Sequence, residues 1–343
     1  MNEEEGIRLL STVARAMLEL SESSIAGAIS LPYPPLAQHT LDRIVRLCLE
    51  RSEPPPTGIP DLVSWCTRRT PSEWPFPIAA GRLRPGALLI DPAVRRPTRT
   101  CFELAGDAAP AAREAVRQLA TTVDASSSTQ RARNFLIDHP VVTDGLVRRD
   151  LVAMATWKRV KGLYEPPAKG YFSDRRVGRC PTCGLLAHLV GPRVDWCEGE
   201  LCPRDKPPAR YRAEEHVRLL IAPLRLFLSL PGRTERQLGE KLAAIGAGFR
   251  LVDPIEGTHE LDRPLRGKRI VHVADRIEPG LLAIDALRWP DSLVVVPQRL
   301  FDRVADYRET FADAVGAAAD ITLLSDDELV GLAVDARMGK DDA

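Results

Sequence analysis

Four cysteines carry the clearest chemistry in the chain. Cys180-Pro-Thr-Cys183-Gly184 is followed by Cys197-Glu-Gly-Glu-Leu-Cys202, with thirteen residues between Cys183 and Cys197. A C-x2-C turn aims two sulfurs at one point, and the second pair, C-x4-C, can close the set from the opposite side of a hairpin. Four thiolates in a tetrahedron are a preferred donor set for Zn2+. The spacing predicts a zinc ribbon with Cys180, Cys183, Cys197 and Cys202 as ligands. Four protein ligands leave no open position for water, so the expected metal is structural. His188 lies inside the connection and reads as a hairpin residue, with a spare ligand as the alternative. Cys48, Cys66 and Cys101 are dispersed singly and read as small core residues.

Basic and aromatic side chains crowd around these cysteines. Arg175, Arg176, Arg179, Arg193, Arg204, Arg210 and Arg212 interleave with Tyr171, Phe172, Trp196 and Tyr211. Arginine for phosphate and aromatic rings for stacking is a nucleic-acid composition. A solvated charged face over a small metal-dependent core, or a protein contact, stands beside it. The whole chain carries 47 basic and 47 acidic residues, a formal net charge of zero. That balance is a cancellation. Residues 157–212 hold twelve Lys or Arg against six Asp or Glu, whereas residues 301–343 hold four against eleven. DNA is therefore an expected partner, met at the centre of the chain.

A second set of residues is acidic. From the helix at 234–246 the chain reads as three strand candidates and then a strand–helix–strand ending, taken as the α-β-β-β-α-β order of the restriction-endonuclease-like fold. That fold places a carboxylate at the start of one central strand and an Asp/Glu-x-Lys tripeptide on the next. A helix can add a Glu, and the carboxylates hold Mg2+ for hydrolysis. Asp275 closes the apolar stretch 269–274, and nine residues separate it from Asp285. Glu235 and Glu240 lie on the preceding helix, and Asp262 is an alternative first carboxylate. Leu287 stands where the lysine is required, with Lys268 and Arg288 as the nearby cations, so the D-x9-D-x-K pattern is incomplete. No Walker loop, dinucleotide fingerprint or nucleophile motif is present.

These residues need elements to hold them. Helical spacing of apolar residues predicts helices over 4–20 and 40–50, the second capped by Thr40 and stopped by Glu53-Pro54-Pro55-Pro56. Residues 57–105 are Pro-rich, with Trp65, Trp74 and a short strand at 87–90. Helices follow at 110–122 from Pro110, at 129–138, and at 144–156 capped by Thr143. The last two read either as packed helices or as a helix-turn-helix. Further helices are expected at 213–221, at 234–246 capped by Thr234, and at 299–316. Strands are expected at 249–252, 269–274, 281–286, 293–296 and 320–324. The fold class is multidomain α+β. A helical region occupies 1–125, a helical connector 126–165, a zinc ribbon 166–212, and an α/β restriction-endonuclease-like domain 213–343. At 343 residues, with 44% hydrophobic and 27% charged residues, the chain is an ordinary globular one. No apolar stretch is long enough for a membrane span, and the acidic start lacks the marks of a signal peptide, so a cytoplasmic location is expected.

Several segments together carry a resemblance. They are Leu41–Trp74, with Leu47-Cys48 and Asp61-Leu-Val-Ser-Trp-Cys66; the ribbon Cys180–Cys202; Val294-Val-Val-Pro297; Tyr307; and Thr322-Leu-Leu-Ser-Asp-Asp-Glu-Leu329. The chain resembles the restriction-endonuclease-like protein of bacterial three-gene islands, which also encode a PIWI-family protein of the pPIWI-RE type and a DinG-like helicase. The resemblance implies a DNA-related role in defence against plasmids or phage, with the PIWI protein and the helicase as partners. It implies Asp275 and Asp285 as Mg2+ ligands, supported by Glu235 or Glu240. Leu287 departs from the pattern and puts hydrolysis in doubt. The expected function is a DNA-binding accessory protein impaired in cleavage. An active Mg2+-dependent endonuclease and a zinc-ribbon protein adaptor are the alternatives.

Overall fold

The structure, a computed structural model, describes residues 1–23, 31–121, 126–148, 151–168, 171–190, 193–203, 206–212, 215–316 and 320–338. The chain opens on α1 (Glu3–Ser23), α2 (Pro35–Glu50), α3 (Ile59–Arg68) and α4 (Arg99–Ala105). Leu9, Leu10, Val13 and Met17 of α1 turn one face inward, onto Ile44, Leu62, Trp65 and Trp74. Cys48, Cys66 and Cys101 lie in this core as expected. α2 starts five residues before the expected position. Pro34 and Pro35 begin it rather than merely breaking the chain, because proline's fixed φ suits a first helical turn. Thr40 is thus a buried interior residue whose hydroxyl donates to the Leu36 carbonyl at 2.7 Å. The expected strand at 87–90 is reduced to one bridge, Ile90 to Pro97, which leads into Thr98, the cap of α4.

A second core is built by α5 (Ala108–Thr121), α6 (Ser126–Asp138), β1 (Val141–Val142), α7 (Asp144–Arg148), α8 (Leu151–Val160) and β2 (Tyr164–Glu165). Leu136, Ile137 and Val160 are buried together, so α6 and α8 share one interior as packed helices. The ribbon follows, with β3 (Phe172–Ser173), β4 (Arg176–Arg179), β5 (Leu186–Val190), β6 (Arg193–Cys197) and β7 (Ala209–Arg212). Its order is β3-β4-β5-β6, and β7 also pairs with β4, antiparallel. Residues 218–220, expected as helix, form β8 (Arg218–Leu220), which lies between β1 and β2 in an antiparallel sheet. Leu219 and Leu220 are both buried there, one on each face, a pattern a short apolar run cannot reveal in advance.

α9 (Ala222–Leu224) passes through a π turn, Arg225–Ser229, into α10 (Leu230–Ala244). Thr234 is therefore a buried mid-helix residue and not a cap. Then come β9 (Phe249–Asp253), β10 (Thr258–Leu265), β11 (Lys268–Val273), α11 (Pro279–Ala286), β12 (Leu293–Val296), α12 (Gln298–Arg303), α13 (Tyr307–Val315), β13 (Thr322–Ser325) and α14 (Asp326–Met338). The sheet order is β13-β12-β11-β10-β9. The β9–β10 and β10–β11 pairs are antiparallel, and β11–β12 and β12–β13 are parallel.

Three expectations are corrected here. Residues 281–286 are helix α11, because parallel β11 and β12 require a crossover and Pro279 starts one. The elements expected to make up the α-β-β-β-α-β order are thus replaced: the chain runs α10-β9-β10-β11-α11-β12, with β10 unforeseen and the third expected strand a helix. The helix expected at 299–316 is broken at Asp306, whose φ of 55° is left-handed. Residues 326–338, where no element is expected, form helix α14. Ser325 and Glu328 exchange reciprocal hydrogen bonds at 3.0 and 2.8 Å, a capping box, and Asp326, Asp327 and Glu328 sit favourably at the positive end of the helix dipole. No described helix is long and apolar enough to cross a membrane.

Candidate metal centre and its surroundings

The two knuckles meet as their spacing requires. The sulfurs of Cys180, Cys183, Cys197 and Cys202 all lie within 4.8 Å of one another, and all four residues are buried. The first knuckle closes through Gly184 N–H to the Cys180 carbonyl at 2.9 Å and Cys180 N–H to the Leu185 carbonyl at 2.8 Å. Gly184 takes φ 74°. In the second knuckle a Cβ on Gly199 would stand 2.8 Å from Cys202 Sγ and 2.9 Å from Cys183 Sγ, so only glycine admits the backbone this close. Hydrogen bonds from Cys183, Cys197 and Cys202 pull the Cys180 thiol far below its ordinary range. This donor set fits a tetrahedral divalent metal such as zinc. Arg179 and Arg233 each keep a buried Nε without a hydrogen-bond acceptor. Among the described residues, no second group of three His, Cys, Asp or Glu side chains converges this closely. His188 stands half-buried opposite Trp196 on the β5–β6 ladder, outside the cluster.

The ribbon's strands also sort its arginines. On the β4–β7 ladder Arg176 is directly opposite Arg212, and Gly178 is opposite Arg210. Directly paired residues of antiparallel strands share a face, so Arg176, Arg210 and Arg212 lie together, all exposed. Arg175, with φ 60°, occupies the turn entering β4. Arg179 falls on the opposite face with Tyr211 and is half-buried. Arg193 starts β6, and Arg204 lies outside the described residues. Trp196 is buried, and the Arg96 guanidinium stacks 3.9 Å from the Tyr171 ring, so these two aromatics are packing residues.

Among the described residues, the acidic side chains do not come together at metal-ligating distance. Asp275 is fully buried at the end of β11 between Arg99, 3.0 Å from its Oδ1, and Arg299. Burial raises its carboxyl, and the guanidiniums of Arg299 and Arg99 more than reverse this, holding it below the ordinary value of 3.8. Glu235 is chelated by Arg133 at 2.8 and 2.9 Å, with His259 3.8 Å away. Asp285, on α11 and not on a strand, pairs with Arg276. Glu235, Asp275 and Asp285 do line one cleft, of about 90 Å3, but Arg113, Arg133 and Arg276 line it with them. Glu240 and Asp262 are exposed. Lys268 is buried and reaches Asp320 at 2.7 Å, Arg288 lies over Trp289, and Leu287 is 49% exposed.

Around Asp275 lies a junction that the sequence did not announce. Arg99 donates to the Asp275 carbonyl, pairs with Glu103 at 3.5 Å, and its backbone N–H meets Glu200 of the ribbon at 2.7 Å. Glu103 accepts from the backbone N–H groups of Ile277 and Glu278 at 3.0 and 3.1 Å. Glu278 takes Arg84 at 3.0 Å and the Thr100 hydroxyl at 2.5 Å. Burial, with Glu103 adding, pushes the Glu278 carboxyl up to about 7 against the pull of Arg84. A similar tie fixes the ribbon elsewhere. Arg225 in the π turn chelates Glu198 at 2.8 and 3.0 Å, next to Cys197. These partners lie tens to hundreds of residues apart, so no local pattern marks them.

Residues 9–143 match the family model described as pPIWI_RE three-gene island domain Y. The matched stretch runs from α1 to just past β1, includes Leu41–Trp74, and supports an association with pPIWI-RE islands. No curated protein and no solved structure matches the chain.

Proposed function

We propose that this chain is the DNA-binding accessory protein of a pPIWI-RE island, with a structural zinc ribbon as its DNA contact and an endonuclease-like C-terminal domain that does not cleave. The observation that carries the reading is the arginine face of the ribbon. Like charges directly opposite on neighbouring strands are destabilising, yet Arg176 faces Arg212, with Arg210 beside them. An exposed arginine face of this kind suits a polyanion such as DNA. Zn2+ is held by Cys180, Cys183, Cys197 and Cys202, because a core this small depends on its metal.

The C-terminal domain, 213–343, is read as restriction-endonuclease-like on the order α10-β9-β10-β11-α11-β12. The segments 1–125, 126–165 and 166–212 are the helical region, connector and ribbon that precede it. Arginine closure of Glu235, Asp275 and Asp285, together with Leu287 at the lysine position, favours a domain without Mg2+-dependent hydrolysis. The partners in this reading are DNA, a PIWI-type protein and a DinG-like helicase.

Fluorescence anisotropy of labelled duplex and single-stranded DNA tests it. Affinity should fall steeply from about 50 to 200 mM salt, and R176A/R212A should lower the log–log salt slope by about 2, roughly one for each lost phosphate contact. Absence of binding by the zinc-loaded protein at about 50 mM salt overturns the DNA reading in favour of a protein adaptor. Cleavage of any DNA form with Mg2+ or Mn2+ overturns the non-catalytic part.

A further inference from the structure

We propose that the cleft between α5, α6, α10 and the end of β11 binds a phosphomonoester, held directly by Arg113, Arg133 and Arg276. The proposal goes beyond the ribbon reading and does not depend on it. The three arginines come from separate elements, α5, α6 and the loop after β11, and all three line the cleft. Arg133 and Arg276 are buried and Arg113 is half-buried. A guanidinium offers five N–H donors and stays charged. Few of those donors are used here. Among the described residues, Arg113 makes no side-chain hydrogen bond, and its ion-pair partner, Glu256, is 3.6 Å away. Arg276 donates only through Nη2, to Asp285. Arg133 donates through Nε to the Pro254 carbonyl and through Nη2 to Glu235, which leaves its Nη1 unused among the described residues.

The carboxylates of the cleft are largely taken. Both oxygens of Glu235 are on Arg133, Asp285 holds Arg276, and Asp275 is answered by Arg99 and Arg299. Glu256 is the loose one: it stands 3.6 Å from Arg113 and 4.0 Å from Arg288 and hydrogen-bonds to neither side chain. Arg113, Arg133, Arg276 and Arg288 thus share Glu235, Glu256 and Asp285, one cation in excess. A phosphomonoester brings close to two negative charges and three strong acceptor oxygens, which match unused guanidinium donors. Size selects the group. The cleft measures about 90 Å3, the share of about three water molecules. That admits a phosphate and leaves a nucleoside outside. The β9–β10 turn bounds it: Gly257 has φ 67°, and a Cβ there would stand 3.2 Å from Glu235 Oε1 and 3.6 Å from Arg133 Nη2. Phe227 lies 4.8 Å from the Arg276 guanidinium and limits where that group can turn. A free nucleotide and the phosphorylated end of a DNA strand both present this chemistry.

The test uses the full-length zinc-loaded protein, with binding of dAMP, inorganic phosphate and deoxyadenosine followed by calorimetry and by melting temperature. dAMP and phosphate should bind, and deoxyadenosine should not. R113A should weaken dAMP binding about 10–100-fold, the scale of hydrogen bonds to a charged group. Its melting temperature without ligand should match wild type, because Arg113 holds no hydrogen bond in the fold. R113K should fall between. E256Q should act in the opposite direction and tighten dAMP, because it removes the carboxylate that a phosphate has to displace. A merely structural Arg113 does not produce that reversal of sign. Short DNA strands with and without a 5′-phosphate separate the two sources. A preference for the phosphorylated strand that R113A abolishes assigns the strand end, and equal binding of both strands with dAMP binding intact assigns the free nucleotide. No binding of dAMP or phosphate at millimolar concentration in about 50 mM salt, equal dAMP affinity for wild type and R113A, or weaker binding by E256Q overturns the proposal. If R113A does not fold, R113K and E256Q decide. R176A/R212A should leave dAMP affinity unchanged, so failure of the ribbon's DNA contact and failure of this site are separate results.

Discussion

Asp275→Ala separates an anchor from a catalyst. The Asp275 side chain is fully buried, and two guanidiniums converge on it, those of Arg99 and Arg299. Removing one member of a buried ion pair costs about 3–5 kcal/mol, because the partner charge is left in a low-dielectric site. Arg99 is 3% exposed and cannot recover water, but it keeps Glu103 at 3.5 Å. Arg299 is 25% exposed and can partly rehydrate. The lower end, about 3 kcal/mol, is therefore expected. At about 2 °C per kcal/mol for a chain of this size, the melting temperature should fall by about 6 °C. D275N, which keeps an acceptor but loses the charge, should lie between. An Arg99→Met/Asp275→Ala cycle in urea should give a coupling energy of about 1–3 kcal/mol. A D275A protein that melts within about 1 °C of wild type refutes the anchor, and the catalytic assignment regains its ground if a Mg2+-dependent cleavage is lost with it.

Asp285→Ala should change stability by no more than about 1 kcal/mol, because Asp285 and its partner Arg276 sit at a partly open cleft; a larger loss in urea unfolding contradicts this. Glu278 titrates near 7 in the fold against an ordinary 4.5. Its contribution is fully present below about 4.5 and is lost as pH rises through 7, so E278Q should gain stability relative to wild type between pH 6 and 8.5, measured as the difference in melting temperature. A difference that stays flat across that range is incompatible with a carboxyl buried in neutral form. Gly280→Ala would raise helix propensity by about 1 kcal/mol on an exposed helix. Here the new Cβ would stand 2.1 Å from the Gly81 carbonyl oxygen, so net destabilisation of about 1–3 kcal/mol is expected in the same urea assay.

What was legible in the sequence follows from the range of each interaction. The cysteine spacing and the α1 periodicity are local, and both appear in the structure. Residues 281–286 illustrate the limit, since a six-residue apolar run fits a buried strand or a buried helix equally well. Pro279-Gly280 held the deciding signal, a proline at a helix start. β10 was missed because Glu260, Asp262 and Arg263 interrupt its apolar alternation with partly or fully exposed positions. The fates of Glu235 and Asp275 were not readable at all. Arg133 comes from 102 residues before Glu235, and Arg99 from 176 residues before Asp275. Only the folded chain brings them together.

The strand β1 carries a consequence for how such a chain can be assembled in evolution. The stretch that matches the domain Y model stops at residue 143, one residue past β1, whereas the partner of β1 is β8, 218–220. Arg99 and Glu103, inside the same stretch, find their anions and donors at 275–278. A recombination breakpoint at 143 would cut a β ladder and strand buried charges on both sides. Exchange of this stretch between relatives therefore demands matched substitutions more than a hundred residues away, and the two parts are bound to travel as one heritable piece.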